Sequence, residues 1–180
     1  MSNNRAVLNL LISKEGDFLK GFGFNETKIL NEFIIWRENN SENSTEKFFS
    51  ELLKIASLYN MKNANTQIEY YTSQLIINTK FLENGDYFGE CDKNYWLEQI
   101  HLNKLIISNL TLSYKFDVQI CANNCCSYCD KKNKKILTFE KAIQKKYLPF
   151  KKCTNKNCTC SYATIPLLNE NGDLVPNDNC

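Results

Sequence analysis

The chain is poor in the residues that most metalloenzymes and nucleotide enzymes depend on. It has one histidine, His101, in 180 residues. The H-E-x-x-H of a zinc protease is absent, and so is the H-x-E with a later P-C-x-x-C of a zinc deaminase. Glycine is scarce, with six residues, and the one G-x-G (Gly21 and Gly23 in GFGFN) has bulky neighbours and no third glycine. That excludes a dinucleotide fingerprint. Long apolar runs are missing as well. The run from Val7 to Ile12 is broken by Asn9, and nothing approaches the roughly 18 apolar residues of a membrane span. The first residues are too polar for a secretory leader. The expectation is a soluble, cytoplasmic protein, where thiols stay reduced.

What the chain has in quantity is cysteine, lysine and asparagine. Nine cysteines are an odd number, which suits metal ligation better than a disulfide framework. Four of them lie in ICANNCCSYCD, at Cys121, Cys125, Cys126 and Cys129. Three more lie in KKCTNKNCTC, at Cys153, Cys158 and Cys160. Cys126-x2-Cys129 has the spacing of a knuckle, in which both thiolates face one ion and intervening backbone N–H groups point at the sulfurs. Zinc takes four tetrahedral N or S ligands. The preferred set is Cys126, Cys129, Cys153 and Cys160. Cys158 stands ready to replace either of the last two, and Cys121 and Cys125 are alternates on the first side. None of the familiar iron–sulfur runs is present. Cys91 and Cys180 lie far from both groups and are expected to be free thiols.

Charge is uneven. Residues 121–160 hold ten lysines against Asp130 and Glu140, a balance of +8 in a chain of +2, so the remainder carries −6. Lys131, Lys132, Lys134 and Lys135 follow the knuckle directly. Tyr128, Phe139, Tyr147, Phe150 and Tyr162 interleave with the basic residues, a combination suited to single-stranded nucleic acid.

Periodicity organises the rest. Apolar residues at 3.6 spacing predict helices over about 5–13, 26–38, 66–82 and 94–107 and a further one after Ser44 that buries Phe48 to Tyr59, with Asn25 and Ser44 as caps; the Tyr, Thr and Ile content of 66–82 also suits a strand. From Leu110 to Ile120 apolar and polar residues alternate strictly, which predicts a strand running into Cys121. A short strand at Ile136–Leu137, a helix capped by Thr138 and a strand over 161–165 follow. The last residues, NENGDLVPNDNC, read as a turn and a loose end. The fold class is therefore α+β: a helical body over 1–105, a zinc-bound strand-knuckle-helix-strand module over 106–168, and a tail over 169–180. Hydrophobic residues are 43 % of the chain, enough for the body to have its own core.

The order C-x2-C, short helix, Leu-Pro, then cysteine and C-x-C resembles the closing segment of phage minor head (head-morphogenesis) proteins, in which a C-x-x-C precedes a proline and an H-P-N-C-R-C run. The matching residues are Cys126, Cys129, Pro149, Cys153, Cys158 and Cys160, with cysteine where that family has histidine. The resemblance covers about forty residues and implies metal binding in this segment.

Two functions fit these observations. One is a non-enzymatic zinc-binding protein, a binding or adaptor module whose basic surface meets nucleic acid or a protein partner. The other is an enzyme with its site in the body or in the 83–92 loop, where Glu83, Asp86, Glu90 and Asp92 cluster, and with a purely structural zinc. A pocket uniting that cluster with His101 would favour the enzyme.

Overall fold

The computed structural model describes residues 2–40, 44–84, 90–122, 126–155 and 159–178. Among these, α1 (Ser2–Lys20), α2 (Glu26–Asn39), α3 (Thr45–Asn63), α4 (Gln67–Glu83) and α5 (Glu90–Thr111) come first. They are followed by β1 (Phe116–Cys121), α6 (Ser127–Asp130), β2 (Ile136–Thr138), α7 (Phe139–Lys145) and β3 (Ser161–Pro166). The class is α+β, helix-rich with one small antiparallel sheet. No helix among the described residues is long and apolar enough to cross a membrane.

Local chemistry sets the helix ends. Lys28 N–H donates to the Asn25 side chain at 2.8 Å, Lys47 N–H to Ser44 Oγ at 3.3 Å and Glu69 N–H to Thr66 Oγ1 at 3.1 Å, so each cap satisfies a donor that the first turn leaves open. α1 ends where Phe24 N–H reaches back to Leu19 O at 3.2 Å and Gly23 N–H to Lys20 O at 3.0 Å, a Schellman closure. Gly23 has φ +73°, and a Cβ there would meet the Tyr59 ring at 3.2 Å. The first helix is much longer than the 5–13 expected. Leu19 continues the buried face begun by Leu8 and Leu11, while Asp17 and Lys20 pair on the exposed side and Glu15 pairs across to Lys80 of α4.

The body's core comes from α1 to α4. Leu19, Leu52, Leu53, Ala56 and Ile77 are fully buried, and Phe48 packs edge-on against Phe33 at 5.0 Å between ring centroids. A second core lies under the sheet, where Val118, Ile120, Cys129 and Ala142 are fully buried and Leu105 of α5 joins them. The strand order is β2-β1-β3, with Val118 opposite Leu137 on one side and Thr164 on the other. Phe116, Val118 and Ile120 face the core, as the alternation requires.

Two expectations are corrected. The strand does not start at 110: α5 runs through the boundary expected at 105/106 and ends at Thr111, so Leu110 and Leu112 lie outside β1. The tail is not loose as far as residue 178. Leu168 pairs with Leu174 and Tyr114 with Pro176, and Asn177 is buried. Asn177 Nδ2 donates to Asn109 O at 2.7 Å and Leu112 O at 2.9 Å. Those are carbonyls that the helix end leaves without partners. A cap arriving from 65 to 68 residues away is what lets the helix continue past the point where the sequence begins to alternate.

Candidate metal centre

Two arms bring the cysteines together. The first leaves β1 at Cys121. Ala122 N–H donates to Asn133 Oδ1 at 2.9 Å, and Lys134 N–H and Lys135 O exchange hydrogen bonds of 2.8 and 2.9 Å with Ile120, so the turn is sewn back onto its own strand. Lys134 takes a left-handed φ of 62° to make that return. Inside the turn, Cys126 O accepts from Cys129 N–H at 2.9 Å and from Asp130 N–H at 3.1 Å, which starts α6 and puts both thiols on one side.

The second arm follows α7, whose N-terminus is capped by Thr138. Leu148 is buried and its N–H donates to Tyr162 Oη at 3.2 Å. Phe150 packs edge-on against Tyr128 at 5.7 Å and its carbonyl accepts from Cys153 N–H at 2.9 Å, which delivers Cys153 to the knuckle. Cys160 precedes β3 directly, is buried, and lies beside the Cys129 thiol.

The resulting sulfur–sulfur distances are 3.6 Å for Cys126–Cys129 and 3.8 Å for Cys126–Cys153. A tetrahedral site with metal–sulfur bonds of about 2.3 Å has sulfur–sulfur edges of about 3.8 Å. The three ligand atoms all lie within 4.8 Å of one another, so Cys126, Cys129 and Cys153 can hold a metal ion. Backbone N–H groups of Thr154 and Cys129 hold the Cys126 thiol down to about 6, which favours its thiolate. Cys129 goes the other way. Burial, together with the thiols of Cys153, Cys126 and Cys160, pushes it far up, because several sulfurs cannot ionise together without a cation among them. Cys121 is half-buried at the end of β1 and outside this group. Cys125, Cys158, Cys180 and the side chain of Cys91 lie outside the described residues.

Lys131, Lys134 and Lys135 are exposed and Lys132 is half-buried, all in the turn that closes the knuckle. Lys132 Nζ stands 5.9 Å from the centre of the Tyr128 ring and Lys135 Nζ 5.1 Å from that of Tyr147. None of the four is ion-paired to a described carboxylate, unlike Lys146, which reaches Glu98 of α5 at 3.2 Å. The anchoring roles of Asn133, Phe150 and Tyr162 were not visible in the sequence. Only the polar residue at 133 inside a turn could have drawn notice.

The acidic cluster and His101 do not meet among the described residues. Glu83 pairs with Lys80 at 3.4 Å in a cleft shared with Glu15. His101 lines a different cleft, edge-on to Tyr162 at 5.7 Å. Asp86 and the side chains of Glu90 and Asp92 lie outside the described residues. Burial, helped by Lys104, pushes the His101 pKa down to about 4. The unfolded chain therefore takes up a proton near pH 6.5 while the folded chain does so only near pH 4. The neutral form's contribution is complete above pH 6.5 and is lost as pH falls through that window. Replacing His101 by Gln is expected to flatten the fall in stability between pH 6.5 and 4 relative to the parent, by up to on the order of 3 kcal/mol. Denaturant melts at a series of pH values check it.

Comparison with protein-family models, curated proteins and solved structures gives no match to this chain.

Proposed function

We propose that the metal is zinc, that Cys160 completes a four-thiolate site with Cys126, Cys129 and Cys153, and that the protein is a non-enzymatic binding module. The zinc fixes a basic turn against single-stranded nucleic acid. What carries this reading is the turn itself. The turn that holds Cys126 and Cys129 continues directly into Lys131, Lys132, Lys134 and Lys135, and Ile120 ties it to β1 through Lys134 and Lys135. Four sulfur ligands leave no open position for a reacting water, as a structural site requires. The likeness of this segment to the closing segment of phage minor head proteins agrees with a metal there and carries no capsid role.

Binding should be largely independent of base sequence and steep in salt. Four phosphates neutralised by four lysines give a slope of about −2.8 in log K against log salt for single strands and about −3.6 for duplex DNA. Changing the four lysines together to Gln should remove most of that slope and leave zinc content and melting temperature nearly unchanged. Fluorescence anisotropy with a labelled oligonucleotide across a salt series measures it. A parent protein that fails to bind any strand at about 50 mM salt would leave this surface to a protein partner.

A further inference from the structure

α3, α4 and α5 leave an open cleft of about 520 Å³ along their seam, within the range of small-molecule sites. Two carboxamides line it, Asn78 of α4 and Asn103 of α5. Each is only 6 % exposed, and neither side chain has a hydrogen-bond partner among the described residues. Neither amide is sealed off from solvent, so what remains exposed of these two side chains opens on the cleft they line, where leucine would fill similar volume without a polar group. Gln99 joins them on α5. Gln74 on α4 is already fixed, accepting from Ser57 Oγ at 3.1 Å and donating to Ser57 O at 3.4 Å.

The remaining wall is aromatic. Trp96 lies face to face on Phe81, centroids 4.1 Å apart and planes within 2°, and Tyr95 meets it edge-on at 4.8 Å. Tyr70 and Tyr71 complete the wall from α4. No described carboxylate lines the cleft, and the one charged residue that does is Lys54.

From this we infer that the α3–α4–α5 cleft binds a nucleobase. A carboxamide carries a donor and an acceptor side by side in one plane, which matches the paired donor and acceptor on a base edge. Adenine, with its N6 amino group beside N7, is the best match for asparagine. Tyrosine faces supply stacking that any base can use. A sugar would instead present several hydroxyl donors to a site without a carboxylate acceptor. Lys54 suits a phosphate attached to the base, which would displace the exposed Glu51 carboxylate that stands 2.6 Å from its Nζ. The inference does not depend on the metal or on the lysine turn.

Calorimetric titration of the full chain with adenosine, adenosine 5′-monophosphate, a short oligodeoxyadenylate and methyl glucoside tests it. Saturable one-to-one binding of the adenine compounds, with none of the glycoside, is expected. Asn78→Leu and Asn103→Leu should each weaken binding about tenfold or more, as the loss of one bidentate pair does. Their melting temperatures should stay equal or rise. Lys54→Gln should weaken the monophosphate and leave adenosine unchanged. Tighter binding of the oligonucleotide than of the monophosphate would assign the base to a strand, and the reverse to a free nucleotide. The variant with four turn lysines changed to Gln should keep its affinity for the monophosphate, which separates this site from the basic turn. Absence of saturable binding to every adenine compound, equal binding of the glycoside, or lowered melting temperatures with unchanged affinity in both Leu variants would overturn the inference.

Discussion

Replacing Cys126 or Cys129 by Ser is expected to abolish zinc binding and unfold the sheet and α7, while α1 to α4 stay helical. One zinc per chain should be found by elemental analysis of the parent, and none in either variant. The reason lies in what the second core contains. Cys129 is fully buried within it, and Cys126 and Cys153 pack against it. Without a metal, these sulfurs stand at contact distance with no cation among them to offset the charge that a lowered Cys126 pKa favours. A structural zinc contributes on the order of 10 kcal/mol to folding of a small module, more than a sheet with strands of 6, 3 and 6 residues can replace. Near-ultraviolet circular dichroism with and without a strong chelator follows the loss. A parent that purifies without metal and keeps its melting temperature in chelator would sink the assignment.

The second large effect is expected in the other core. Phe48→Ala should cost about 3–5 kcal/mol. Phe48 is 1 % exposed and packs against the rings of both Phe33 and Trp36, which stack on each other, so the cavity has rigid walls that resist collapse. Zinc stoichiometry should be unchanged, because no residue of the metal site belongs to that cluster. Thermal melts paired with metal analysis decide it. If the variant loses zinc in step with its helicity, the body and the cysteine module fold as one unit rather than as the two regions expected over 1–105 and 106–168.

The parts of this structure legible in sequence are those written in nearby residues. Asn25, Ser44 and Thr138 announce helices because a cap acts on the N–H three positions ahead. Phe116, Val118 and Ile120 announce a strand because neighbouring side chains point to opposite faces. The knuckle was readable for the same reason, since Cys126 and Cys129 need only one turn of chain between them. What was not readable depends on distant partners. The alternation from Leu110 to Tyr114 is as regular as the rest, yet Asn177 caps the helix that overrides it. Spacing was enough to name Cys153 and Cys160 as partners of the knuckle, but the packing of Phe150 beside Tyr128 that brings Cys153 there was not written in it. The cleft between α4 and α5 was invisible, because an asparagine within a helix gives no sign of whether it faces water or a neighbouring helix.

α5 belongs to both cores: Trp96 near its start packs against the body, and Leu105 near its end packs under the sheet. One helix therefore carries two local stabilities. Its amides up to about residue 100 can exchange with solvent only when the body opens, and those from about 105 onward when the cysteine module opens. Withdrawing the metal would leave a helix protected along its first half and exchanging along its second, with the break near Asn103. The chain's own backbone would then record, residue by residue, where the influence of the metal stops.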